Sequence, residues 1–179
     1  MAIKIVTTSN ELKKILFETR LTFANEKSAL CSVGFVPTMG ALHDGHRTLI
    51  KKCVEENDIS VVSIFVNPKQ FGPKEDFSKY PRVLQEDCAL CTQEGVDIVF
   101  APGVEEIYPE PFLAQIVVAP EMKSILCGVF RPGHFDGVAT VVTLLLNMVM
   151  PKRAYFGQKD FQQYFIINKI RKDFSHPTE

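Results

Sequence analysis

The chain is 179 residues long, the usual size of one domain and enough to bury a sizeable core. Apolar residues make up 46% and charged residues 23% of it, which excludes a disordered or fibrous chain. Twenty Lys and Arg against twenty-one Asp and Glu leave a net charge of -1; no long-range field gathers nucleic acid or anionic lipid, so neither is an expected partner and any phosphate site must be local.

Residues 1–10 lack the apolar core of a signal peptide, which together with the reading below predicts a cytoplasmic protein. Thr8 with Glu11 forms a capping-box pattern, and Leu12, Ile15, Leu16 and Phe23 recur at helical spacing, predicting a first helix over about 9–26. Residues 33–36 (VGFV) form a short apolar run ended by Pro37, expected as a buried strand. Asp44 is the expected cap of a second helix carrying Leu49, Ile50, Cys53 and Val54, and residues 59–66 are apolar enough for a central parallel strand that Asn67-Pro68 stops. A polar segment punctuated by Gly72, Pro73 and Pro81 leads to a helix over 84–94 and a strand over 96–100. After a Pro-rich loop at 101–112, residues 113–119 alternate like an exposed or edge strand, and 131–134 read as a turn-rich loop. The apolar run 138–150 is expected as a buried helix too short to span a bilayer, 153–156 as a further strand, and Asp160 as the cap of a last helix ending near Phe174.

Strands that read as continuous apolar runs and alternate with helices imply an α/β fold with a doubly wound parallel sheet, Rossmann-like, in one domain over 1–179. Such a sheet normally adds another strand after its last helix, whereas this chain stops at 175–179. Five cysteines, Cys31, Cys53, Cys88, Cys91 and Cys127, are an odd number and read as reduced thiols. Cys88 and Cys91 make a CxxC on a helical segment without a second pair at zinc-site spacing, so a metal or redox role there has little support.

The first stretch with chemistry in it is PTMGALHDGH: Pro37, Thr38, Met39, Gly40, Ala41, Leu42, His43, Asp44, Gly45 and His46. It falls where a parallel strand gives way to a helix, the crevice in which open α/β sheets bind ligands. Gly40 and Gly45 allow a sharp turn and close approach, while the helix start offers N–H groups and a positive dipole end to a phosphate. His43 and His46, three apart, can face the same phosphate and stabilise charge as pyrophosphate leaves. A surface histidine pair or a transition-metal site remains the alternative from the pattern alone.

The H-x-G-H string after a first strand resembles the signature of the nucleotidyltransferase superfamily that includes class I aminoacyl-tRNA synthetases, and the longer string resembles the pantothenate synthetase family. Further matches in that family's order are VSIFVNP at 62–68 with Gln70-Phe71, YPR at 80–82, RPGHF at 131–135 with Gly137-Val138, and FGQKDFQQ at 156–163. The resemblance implies that ATP meets residues 39–46 together with Gly157, Gln158, Lys159 and Asp160, the last of which can equally cap its helix. It implies that Pro37, Thr38, Met39, Gln70 and Gln163 hold pantoate or beta-alanine, that Arg131 and His134 lie near a substrate unless they only structure their loop, and that Glu86 and Asp87 help carry Mg²⁺ unless they are solvated helix charges. Phe71, Phe135, Phe156 and Phe161 read as packing residues.

By the same resemblance, ATP activates the pantoate carboxylate as an adenylate and beta-alanine captures it, with His46, His43 and Lys159 as the catalytic groups; the enzyme is an AMP-forming C–N ligase and a homodimer. The family pattern continues with another strand, a Ser-Ser-Arg type loop and a C-terminal lid beyond the 179 residues, so a fragment that binds ATP weakly and turns over poorly is expected.

Overall fold

The computed structural model describes residues 3–27, 30–72, 75 and 77–179; Met1 and Pro73 of the sequence reading lie outside them. The sheet is built from β1 (Lys4–Val6), β2 (Val33–Thr38), β3 (Ile59–Ile64), β4 (Ile98–Phe100) and β5 (Arg153–Ala154). They pair in the order β1-β4-β3-β2-β5, every pairing parallel. β2 and β3 run in register from Val33 opposite Ile59 to Thr38 opposite Ile64.

Among the described residues, seven helices fill the connections: α1 (Ser9–Lys27), α2 (Asp44–Glu56), α3 (Leu84–Gln93), α4 (Val104–Ile107), α5 (Pro120–Lys123), α6 (His134–Val149) and α7 (Phe161–Asp173). Side chains alternate across the strands, so the two apolar faces are read by neighbours in sequence. Phe35 and Val61 join Leu12, Leu16, Val138, Val142 and Leu145 on the α1/α6 side, while Val36 and Val62 join Ile50, Cys53, Cys88 and Cys91 on the α2/α3 side. Cys88 and Cys91 are therefore core residues. Burial pushes the Cys91 thiol up to about 12 and raises Cys88 as well, with Asp87 contributing to both, which leaves them poor nucleophiles and poor ligands.

From β2 the chain steps outward through β3 to β4, then α6 carries it back to β5 on the other side of β2. That reversal splays the connections leaving β2 and β5 apart and opens a crevice at their carboxyl ends. β1 was not foreseen: three residues, only one of them buried, make too short a pattern to register as a strand.

Residues 113–119 are not a strand. Their N–H groups turn to α6 instead of to a neighbouring strand, Ile116 N–H donating to Thr140 Oγ1 (3.0 Å) and Val118 N–H to Asp136 Oδ1 (2.8 Å). α6 also starts earlier than apolarity indicates, at His134 after Gly133 with φ 79°. After α7 the chain returns to β5, where Ala154 N–H donates to Glu179 O (2.9 Å) and Glu179 N–H to Lys152 O (2.8 Å). No helix among the described residues is long and apolar enough to cross a membrane.

The Pro68–Gln70 turn lies directly on α6 at Gly137, where a Cβ would stand 2.1 Å from Lys69 O. A Gly137→Ala chain must push backbone away from backbone, and chemical denaturation should show a loss of about 1–3 kcal/mol. Gly103→Ala, whose Cβ would meet nothing within 4 Å, should shift the midpoint far less.

Candidate functional site

The turn after β2 is shaped by a carboxylate. Asp87, in the first turn of α3, is 2% exposed. Its Oδ2 accepts from Ala41 N–H (3.0 Å) and its Oδ1 from Leu42 N–H (2.7 Å). This corrects the expectation of a solvated helix charge: the tertiary fold closes over Asp87, and a buried carboxylate needs internal donors. Gly40 at φ 80° brings the chain in so closely that a Cβ there would stand 2.8 Å from Asp87 Oδ2, and Ala41 also takes a positive φ of 51°.

The anchored turn delivers His43 to the cap of α2 in extended geometry (φ -139°). Asp44, the expected cap, stands one residue inside, in the first turn, and His43 takes its place. His43 Nδ1 accepts from Gly45 N–H (3.1 Å), and His46 Nδ1 accepts from His43 N–H (3.3 Å). The two imidazoles thus form a reciprocal capping box, with ring centroids 4.1 Å apart. Because each Nδ1 is an acceptor, the ring proton of each sits on Nε2. Burial holds His46 below the ordinary histidine range, the neighbouring His43 adding to the shift. Gly45 is required by contact, since a Cβ would approach His43 Cε1 to 2.9 Å.

A cleft of about 550 Å³ opens at the reversal point. One wall holds Pro37, Thr38, Met39, His43, Gly45 and His46, and the facing wall holds Gly157, Gln158, Lys159, Asp160 and Gln163. Gln70 closes one end, with Val138, Val142 and Leu145 of α6 as apolar floor. Gln70, whose amide would be solvated on an open surface, is 8% exposed; Nε2 donates to Met39 Sδ (2.9 Å) and Oε1 accepts from Asn67 Nδ2 (3.0 Å). Asp160 occupies the cap position of α7, but its side chain makes no capping bond and faces the cleft.

Several expected residues stand behind this surface. Gly40, Ala41, Leu42 and Asp44 do not line the cleft and act through the shape of the turn. Arg131 donates through Nε to Glu75 Oε1 (2.9 Å) and borders a different hollow, of about 350 Å³. His134, 7% exposed, lies between Arg131 Nη1 (3.0 Å) and the Gln70 carbonyl (2.8 Å). A guanidinium only donates and a carbonyl only accepts, so His134 is the neutral Nδ1–H form, bracing the Gln70 turn. Glu86 is exposed, both Asp87 oxygens are engaged, and no three His, Cys, Asp or Glu side chains gather at metal-binding distance among the described residues. Phe135 is core, but Phe161 is 60% exposed and does not pack as expected.

Asn67, which the sequence offered only as a strand stop, is 1% exposed and lines the cleft. Its signal was a lone amide at the carboxyl end of an apolar strand, beside a turn, where the backbone needs side-chain partners.

Asp87→Asn keeps the shape but sets an NH₂ against a backbone N–H. Thermal and urea unfolding should show a loss of roughly 1.5–3 kcal/mol, the range for hydrogen bonds to charged groups, with the Ala41 and Leu42 amide resonances displaced. Burial lowers the His134 pKa, opposed by the Gln70 carbonyl. The unfolded chain therefore binds a proton there first, and stability present above about pH 6.5 is lost as pH falls toward the folded value. In melting curves between about pH 7.5 and 5, a window that brackets the ordinary histidine range, His134→Gln should show a shallower acid decline than the parent chain.

A family model described as pantoate-beta-alanine ligase matches residues 4–179. The pantothenate synthetase of Aquifex aeolicus is 52% identical over 168 residues, covering 94% of this chain and 59% of that protein. That of Carboxydothermus hydrogenoformans is 58% identical over 147 residues, covering 82% and 52%. A crystal structure of the Thermus thermophilus protein superposes with a TM-score of 0.89 at 46% identity, covering 99% of this chain and 60% of that one. The Francisella tularensis pantoate-beta-alanine ligase, complexed with beta-gamma ATP and beta-alanine, gives 0.89 at 42% identity and 99% and 65% coverage. The chain spans between a half and two thirds of the length of these relatives. Fold, cleft and sequence identity agree, and the chain belongs to the pantoate-beta-alanine ligase family.

Proposed function

We propose that the cleft binds ATP and pantoate side by side and activates the pantoate carboxylate as pantoyl adenylate, which beta-alanine converts to pantothenate. The observation that carries this reading is the capping box: two imidazoles fixed by Nδ1 acceptance, each with its Nε2–H free for the cleft, at the positive end of α2. Lys159 faces them from the other wall.

A carboxylate is a poor electrophile, so amide formation needs prior activation. One pantoate oxygen attacks the α-phosphate in line, the bond to the β-phosphate breaks, and pyrophosphate leaves. His43, His46 and Lys159 donate to phosphate oxygens as charge builds on them, and positioning with electrostatics supplies most of the acceleration. The neutral amine of beta-alanine then attacks the acyl carbon, the C–O bond to phosphate breaks, AMP leaves and the amine loses a proton. The apolar floor of Val138, Val142 and Leu145 keeps water from the anhydride.

The residues present do not fit a protein-built Mg²⁺ cage: Asp87 is committed to Ala41 and Leu42, Glu86 is exposed, and no three His, Cys, Asp or Glu side chains gather at metal-binding distance among the described residues. Mg²⁺ is read here as the companion of the ATP phosphates, the usual way this ion is carried. Residues 1–179 act in this reading as one Rossmann-like unit, in a cytoplasmic enzyme that pairs with a second copy of itself.

Pantoate-dependent ATP–pyrophosphate exchange, with direct titration of both substrates, tests the reading. His43→Ala or His46→Ala should lower exchange about 10²- to 10³-fold, the range for loss of one preorganised donor. Exchange that needs a phosphorylated acceptor and ignores pantoate would identify an adenylyltransferase instead. Nucleotide binding without any exchange would make the chain a non-catalytic module.

A further inference from the structure

A glutamine amide is nearly symmetrical in shape but not in chemistry, since its oxygen accepts and its nitrogen donates. Which atom of Gln70 meets the cleft therefore decides what that end of the cleft recognises, and the decision is made by the groups behind it. Asn67 Oδ1 receives Lys69 N–H (3.2 Å) and the Tyr108 hydroxyl (2.7 Å), while Nδ2 donates to the Gly137 carbonyl (3.2 Å) and to Gln70 Oε1 (3.0 Å). The Lys69 N–H can only donate and the Gly137 carbonyl can only accept, so the Asn67 amide has one permitted orientation. The Gln70 atom facing its nitrogen must then be oxygen, and Gln70 Nε2 is turned to Met39 Sδ and the cleft.

Tyr108 supplies the shorter of the two bonds that hold Asn67 Oδ1. It follows the short helix α4, is 6% exposed and does not line the cleft. Phe112 meets its ring edge-on at 4.9 Å, and the Lys69 ammonium lies 5.0 Å from the ring centre. Burial raises the phenol above its ordinary range, so the hydroxyl keeps its proton, as this bond demands.

We propose that Tyr108 is a positioning residue whose hydroxyl clamps the Asn67 amide in the orientation its backbone partners set, so that the Gln70 amide is held firmly with its nitrogen toward the cleft and that end is committed to an acceptor oxygen of the acid substrate. The inference rests on the reading that pantoate occupies the cleft. A hydroxyl or carboxylate oxygen placed at Gln70 is matched; an ammonium or amide N–H there meets donor against donor.

Calorimetric titration of pantoate and of ATP into the parent chain, Tyr108→Phe, Gln70→Ala and the double variant tests it. Tyr108→Phe should weaken pantoate roughly three- to tenfold, the worth of one hydrogen bond, leave ATP unchanged, and add nothing in the Gln70→Ala background. An equal loss for ATP, or the same loss without Gln70, overturns the proposal. Should the parent chain bind no pantoate, the functional reading falls while the relay is still tested by NMR. The Asn67 and Gln70 side-chain amide protons should shift and exchange faster in Tyr108→Phe while β2 and β3 amides stay in place; unmoved side-chain amides overturn it.

Discussion

Asp87 is a carboxylate shut inside the protein, and the cost of leaving such a group without donors is what fixes the geometry around it. The donors it takes are two consecutive backbone N–H groups, those of Ala41 and Leu42. Two neighbouring N–H groups point to one spot only if the chain between them departs from ordinary strand geometry, and here Gly40 and Ala41 both take positive φ. The turn is therefore set before α2 begins. His43 enters α2 at a defined angle because of it, and His46 follows one turn later on the same side. Without that contact between α3 and the β2 turn, the two histidines would share a sequence motif and no fixed geometry.

The cleft that results is rich in donors. His43 and His46 offer Nε2–H, Gln70 offers Nε2–H₂, Lys159 offers an ammonium, and α2 turns the positive end of its dipole to the same side. Those donors are gathered in a chain whose net charge is -1, so the concentration of donors is a property of the cleft and not of the molecule. The apolar side of the cleft comes from α6, the helix that returns the chain from β4 to β5. Strand order, floor and reversal point thus have one origin.

Much of this was legible in the sequence because its signals are local. Apolar runs marked β2, β3 and β4, since a central parallel strand is covered on both faces. The Gly-punctuated PTMGALHDGH string and the GQKD turn pointed to the crevice that the structure forms. What escaped were features whose partners lie far along the chain. β1 is three residues long and exists through pairing with β4. Residues 113–119 have a strand-like alternation, yet their N–H groups find α6 side chains and not an edge. The cap of α2 was misassigned and the start of α6 was placed at 138 and not at His134, because His43 caps through an imidazole and Gly133 through its left-handed backbone, neither being the usual short polar side chain.

The sequence by itself determined the fold class and the family, because hydrophobic period and motif order need no knowledge of contacts. It left open what each polar group does. Burial and partners decided that, and both belong to the tertiary structure. Asp87 became an anchor when the fold closed over it, and His134 became a brace between Arg131 and the Gln70 carbonyl. Asn67 became the amide that orients Gln70, and the histidine pair acquired defined tautomers when each ring accepted a backbone N–H. A polar residue in a string of letters has several possible roles; excluding water and supplying specific donors or acceptors reduces them to one.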